Sequence, residues 1–85
     1  MEHMDQDELR KEAHDADVTV WVGKGGVSAV VGELRDQLAE RDLVKVKFLR
    51  AARGGTTTAE LADELAEAAD AELVETRGNT AVYVR

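Results

Sequence analysis

The residues best placed to do chemistry in this chain are Gly23, Lys24, Gly25 and Gly26, within the stretch VTVWVGKGGVSAVV at residues 18–31. Glycines leave backbone N–H groups uncovered by side chains, so an anion or a sugar-phosphate backbone can approach closely, and the lysine adds a positive charge. A strand-like run precedes the loop and a helix-like run follows it. The start of a helix contributes unpaired amides and the positive end of its dipole. Such a loop can cradle a phosphate, clamp a nucleic-acid backbone, or simply turn the chain.

The spacing discriminates among these. A phosphate-binding P-loop requires G-x-x-x-x-G-K-[ST], whereas Lys24 follows the first glycine with neither Ser nor Thr after it. Gly23, Gly25 and Ser28 approximate the dinucleotide fingerprint G-x-G-x-x-G/A between a strand and a helix. That fingerprint needs an acidic residue closing the next strand, but the next strand ends in Phe48, Leu49 and Arg50, and 85 residues cannot supply both nucleotide-binding halves. A G-x-x-G clamp from Gly23 to Gly26, as in the KH module, fits the chemistry. The KH fold itself does not fit, because its clamp follows a helix and VTVWV has the alternation of a strand.

No carboxylate pair, nucleophile-and-base set or metal cluster stands out elsewhere. The chain has no cysteine, and its two histidines, His3 and His14, fall in the polar N-terminal region. The expectation is a non-enzymatic protein without metal or cofactor. MEHMDQDELRKEAHD lacks the apolar core of a signal peptide, and no apolar run approaches membrane-spanning length, so a cytoplasmic location is expected.

The formal charge of -7 argues against a polyanionic partner until its distribution is read. Residues 1–17 hold seven acids and two bases, and residues 59–76 hold seven acids and no base. Between them, residues 18–58 hold four acids and seven bases, a net of +3: Lys24, Arg35, Arg41, Lys45, Lys47, Arg50 and Arg53 outweigh Glu33, Asp36, Glu40 and Asp42. The cations gather around the glycine loop and the strand after it. High acid content with only four lysines also suits a salt-loving organism. In about 1 M salt the Debye length is roughly 3 Å, so distant carboxylates would hardly repel a bound polyanion.

The elements that must position the loop follow from periodicity. An acidic helix is expected over residues 5–14 with a thin stripe of Leu9 and Ala13, within an N-terminal segment of residues 1–17 that precedes a domain at 18–85. Val18, Val20 and Val22 alternate with Thr19 and Trp21 as a strand, and Val27, Val30, Val31, Leu34 and Leu38 have helical spacing over 28–41, with Ser28 placed as its cap. LVKVKFL, residues 43–49, is a strand with Val44, Val46 and Phe48 on one face and Lys45 and Lys47 on the other. Thr57 and Glu60 form a capping-box pattern opening a helix whose stripe is Leu61, Leu65, Ala68 and Ala69. ELVET and TAVYV then form a hairpin across Arg77, Gly78 and Asn79. The predicted order αβαβαββ gives an α+β two-layer sandwich on a mixed four-stranded sheet.

Strand, G-x-x-G, helix, L-V-K-V-K, helix and a final G-N-T-x-V-Y hairpin together resemble the CRM domain, named for chloroplast RNA splicing and ribosome maturation, in its single-domain YhbY-like form. The resemblance runs from about Val18 to Arg85. It implies a fold similar to the C-terminal domain of translation initiation factor three. It also implies RNA binding, associated with precursors of the large ribosomal subunit in prokaryotes and with intron splicing in plants. Carried over by position, the RNA-contacting loop corresponds to Gly23, Lys24, Gly25 and Gly26, and the basic second strand to Lys45 and Lys47. Ser28 at the helix start and Arg50 and Arg53 in the following loop complete the candidate RNA-binding set, and Arg77 is a similar hairpin cation. The family commonly ends leucine-tyrosine-arginine, whereas here Val84 separates Tyr83 from Arg85, which leaves no carried-over role for Tyr83. Trp21 stands where the family has an apolar residue, so it is expected to pack under the N-terminal helix, with stacking on a base as the alternative.

The expected partner is RNA, a precursor of ribosomal RNA in the pre-ribosomal large subunit, bound by a monomer. The alternative is a protein interaction module in which the acidic helix after Thr57 docks a basic ribosomal protein.

Overall fold

Valine alternation draws the chain into strands wherever one face can be buried, and leucines three to four residues apart supply the helices that cover that face. The computed structural model describes residues 6–85, the side chains of Gln6 and Leu9 excepted. Its elements are α1 (Gln6–Asp15), β1 (Val18–Val22), α2 (Val31–Glu40), β2 (Val44–Phe48), α3 (Thr58–Ala69), β3 (Glu72–Arg77) and β4 (Thr80–Val84), with short 3-10 turns at Val27–Val30 and Arg50–Ala52. The α+β order is the predicted one. His3 and Asp5 lie outside the described residues, as does the side chain of Leu9.

The sheet order is β1-β2-β4-β3, with β1 and β2 parallel and the other two pairings antiparallel. A parallel pair requires a crossover, which α2 supplies. The β3–β4 hairpin closes through Gly78 and Asn79, with Gly78 at φ 58, the positive value a two-residue hairpin turn demands at its first central position.

One face of the sheet meets α2 and α3 in a core of Val20, Val22, Val44, Val46, Phe48, Ala81 and Tyr83 against Val27, Leu34, Leu38, Leu61, Ala62, Leu65 and Ala69. Three expectations are corrected here. Ala68 is exposed, and Ala62 and Ala69 carry the α3 stripe with Leu61 and Leu65. Val30 and Val31 are only partly buried and Val27 is buried, because the 3-10 turn rotates these positions relative to an α-helix. Val18 is half-buried beside a bulge in β1.

Tyr83 belongs wholly to this core. Its ring is fully buried, and its hydroxyl donates to the Ala62 carbonyl at 2.8 Å. Burial pushes the phenol well above its usual pKa, and the Asp63 carboxylate adds to the shift, so the group stays neutral and keeps donating.

The opposite sheet face carries Trp21, Lys45, Lys47, Thr80 and Val82, and among the described residues it is the end of α1 that lies over part of it. Ala13 is buried there, and the Ala13 carbonyl accepts a hydrogen bond from Lys45 Nζ at 3.3 Å. Nearby, the Arg77 guanidinium meets His14 Nε2 at 2.6 Å, and His14 Nε2 lies 4.0 Å from Glu75.

Candidate nucleic-acid interface

Because β1 and β2 are parallel and β4 runs antiparallel to β2, the C-terminal ends of β1 and β2 and the β3–β4 turn share one end of the sheet. The GKGG loop, the Arg50–Gly55 loop and the hairpin turn therefore converge. Backbone bonds fasten them: Leu49 N–H donates to the Val22 carbonyl at 2.8 Å, and Phe48 N–H to the Asn79 carbonyl at 2.7 Å.

Gly23 to Gly26 form a β-turn closed by Gly26 N–H donating to the Gly23 carbonyl at 3.0 Å. The central residues Lys24 and Gly25 are exposed and have negative φ, as in a type I turn. Only Gly26 has positive φ, at 76 with ψ -176, a combination open essentially to glycine. Gly23 needs no such freedom. A Cβ there would lie 3.7 Å from Leu49 Cδ1, an ordinary contact, whereas one on Gly25 would come within 3.1 Å of Ala29 Cβ.

The turn feeds the 3-10 segment through a bond from Ala29 N–H to the Gly26 carbonyl at 3.2 Å. Ser28 does not cap it, contrary to expectation. Gly26 occupies the cap position without any side-chain bond, and Ser28 falls one place inside the 3-10 turn, where its hydroxyl is exposed. Gly26 N–H is spent on the turn, but the N–H groups of Lys24, Gly25, Val27 and Ser28 have no hydrogen-bond partner among the described residues. Backbone amides without partners beside a lysine ammonium are the kind of donors a phosphate oxygen accepts from.

The predicted cations divide into two sets. Lys24, Lys47 and Arg50 are exposed, and none is held in an ion pair among the described residues. Lys45 and Arg53 are tied down instead. Lys45 is half-buried under the end of α1, and Arg53 Nε donates to the Phe48 carbonyl at 3.1 Å, bracing the exit from β2. Those bonds leave both side chains less free to meet a ligand than their positions in the sequence imply. Arg77, at the hairpin, meets His14.

Trp21 is 52% exposed, so it is not packed under the N-terminal helix. The end of α1 lies instead beside Lys45 and Val82. In register, Trp21 pairs with Lys47, Lys47 with Thr80, and Thr80 with Arg77, one row across all four strands. This row was hidden from the sequence because strand order is set by tertiary pairing. A cavity of about 280 Å³ separates α1 from the sheet, lined by Ala13, His14, Lys45, Glu75, Arg77 and Thr80 among others. Among the described residues, no group of three or more His, Cys, Asp or Glu side chains could hold a metal ion, and no helix is long and apolar enough to cross a membrane.

The mixed sheet, its αβαβαββ order and the bare-backbone corner beside exposed cations define a small two-layer α+β domain. The chain belongs to the CRS1 / YhbY (CRM) domain family, whose model matches residues 1–85. It is 43% identical over 77 residues to a probable RNA-binding protein of Methanocaldococcus jannaschii, an alignment covering 91% of this chain and 58% of that relative. The chain thus spans little more than half of that relative's length. The solution structure of a hypothetical protein from Staphylococcus aureus, described as a candidate RNA-binding protein, superposes with a TM-score of 0.74 at 34% identity, covering 94% of this chain and 82% of that one.

Proposed function

We propose that this protein is an RNA-binding domain that holds a sugar-phosphate backbone at its glycine corner. The observation that carries the reading is the exposed Gly23–Gly26 turn, with four N–H groups lacking partners among the described residues and Lys24 at its tip. A phosphate oxygen accepts from these amides while the ammonium of Lys24 neutralises charge, and Lys47 and Arg50 attract the flanking phosphates. The glycines admit the backbone at a distance side chains would forbid. The names borne by the relatives in the archaeon and in Staphylococcus point the same way.

The substrate we propose is precursor ribosomal RNA during assembly of the large subunit, bound in the cytoplasm by a monomer that uses neither catalysis nor a cofactor. The acidic outer surface suits a cell with high internal salt. RNA crosslinking followed by sequencing identifies the substrate: enrichment of large-subunit precursor sequences is expected, and enrichment of intron RNA alone would replace the ribosomal assignment.

Lys24→Glu is the cleanest probe of the corner, since the side chain is exposed and holds no part of the fold in place. It should lower RNA affinity about tenfold, because an attraction to phosphate becomes a repulsion, with an unchanged thermal midpoint. Unchanged affinity would remove the loop from the interface. Gly25→Asp is a harsher probe, because its Cβ would crowd Ala29. The exposed acids Asp63, Glu64 and Glu67 on α3 favour a second reading, docking of a basic ribosomal protein. A nuclease-resistant basic partner in a pulldown, with no RNA recovered, would establish it in place of the first.

A further inference from the structure

We propose that the open sheet face beside the glycine turn is a stacking platform for an unpaired RNA base, with Trp21 beneath the base and Lys47 on the adjoining phosphate. The inference rests on the RNA-binding reading and narrows its ligand to single-stranded or looped-out RNA.

Trp21 and Leu49 are the large hydrophobic side chains left exposed among the described residues, at 52% and 38%. Both stand at the same corner. Trp21 is two residues before Gly23, and Leu49 Cδ1 is 3.7 Å from where a Cβ on Gly23 would be. Lys47 adjoins both, paired with Trp21 across β1 and β2 and two residues before Leu49 in the chain. An exposed indole keeps a large apolar surface in water, a cost that the row's other members, Lys47, Thr80 and Arg77, do not incur.

Charge selects the occupant. Lys24, Lys47 and Arg50 share the indole's end of the sheet without ion-pair partners among the described residues, which favours a ligand that offers a flat π-surface with a negative charge close by. A nucleotide offers both. Bases within a duplex are already stacked on their neighbours, so only an unpaired base can reach the indole. The α1 helix supports this division of the face. It covers Lys45 and Val82 through Ala13 and meets Arg77 through His14, and among the described residues it leaves the Trp21 and Lys47 end of the row exposed.

Trp21 is the sole tryptophan, so its emission reports on its own contact. The full chain is titrated with three labelled probes: a ten-nucleotide single-stranded RNA of mixed sequence, the same strand with abasic central positions, and a blunt duplex of equal length. The expected result is quenching of Trp21 emission by the first probe only. Trp21→Ala should weaken that probe about tenfold, leave the abasic strand and the duplex unchanged, and leave the thermal midpoint in place, with Trp21→Phe restoring most of the affinity. RNA binding that responds to Lys24→Glu but leaves Trp21 emission and the Trp21→Ala affinity untouched would overturn the platform while keeping the corner. Absence of binding to all three probes would overturn both.

Discussion

At Gly26 the backbone, not the ligand, dictates the residue. Its φ of 76 with ψ -176 lies where an L side chain is strained by about 1–3 kcal/mol, so Gly26→Ala should lower unfolding stability by that amount in urea titrations. Gly32 provides the contrast. It sits in the first turn of α2 with nothing within 4 Å of an added Cβ and no positive φ, so Gly32→Ala should stabilise the protein by about 0.4–1 kcal/mol. Tyr83 makes a third residue-scale prediction, from its buried hydroxyl. Its folded pKa is raised above the ordinary value of 10.0, so the unfolded chain loses the phenolic proton first as pH rises. Tyr83's contribution is therefore complete below about pH 10 and declines above it. Tyr83→Phe should cost about 1 kcal/mol at neutral pH, for the hydrogen bond to Ala62, and should flatten the loss of stability above pH 10 relative to the native chain.

At the scale of elements, α3 shows how much of a helix can be local. Thr57 Oγ1 accepts from Glu60 N–H at 3.1 Å, as the capping-box spacing predicts, while the Glu60 carboxylate turns to the Thr56 hydroxyl at 2.8 Å and not to the cap. Its far end closes with Ala71 N–H donating to Ala66 and Asp70 N–H to Glu67, a Schellman arrangement that puts Asp70 at φ 54. Glycine occupies that conformation without a Cβ penalty, so Asp70→Gly should raise the urea midpoint by an amount equivalent to about 0.5–1 kcal/mol. A drop would mean the Asp70 side chain makes a stabilising interaction of its own. The glycine corner is less local. Ser28 has the right type and spacing to cap a helix, but the closed Gly23–Gly26 turn moves the cap to Gly26 and tightens the next residues into a 3-10 turn.

For the whole molecule, the net charge of -7 and the cationic corner coexist because the acids are spread over the three helices and β3 while Lys24, Lys47 and Arg50 emerge at one end of the sheet. With these three cations as the phosphate contacts, log affinity for single-stranded RNA should fall against log salt with a slope of about -2. Lys24→Glu should flatten that slope by about 1. Filter-binding or anisotropy titrations from low to molar potassium chloride measure it directly, and a slope steeper than about -5 would require cations beyond this corner.

What the sequence determined by itself is whatever depends on neighbours along the chain. Alternation in VTVWV and LVKVKFL, the Thr57 cap, the Gly78 turn and the G-x-x-G spacing are each settled within a few residues, by sterics and local hydrogen bonds. Tertiary structure decided which of the polar and aromatic side chains remain available. Lys45 was captured by the Ala13 carbonyl and Arg53 by Phe48, Tyr83 was buried against Ala62, and Trp21 was left open beside Lys47. Those outcomes depend on strand order and on where α1 lies, which are fixed by contacts between residues far apart in the chain.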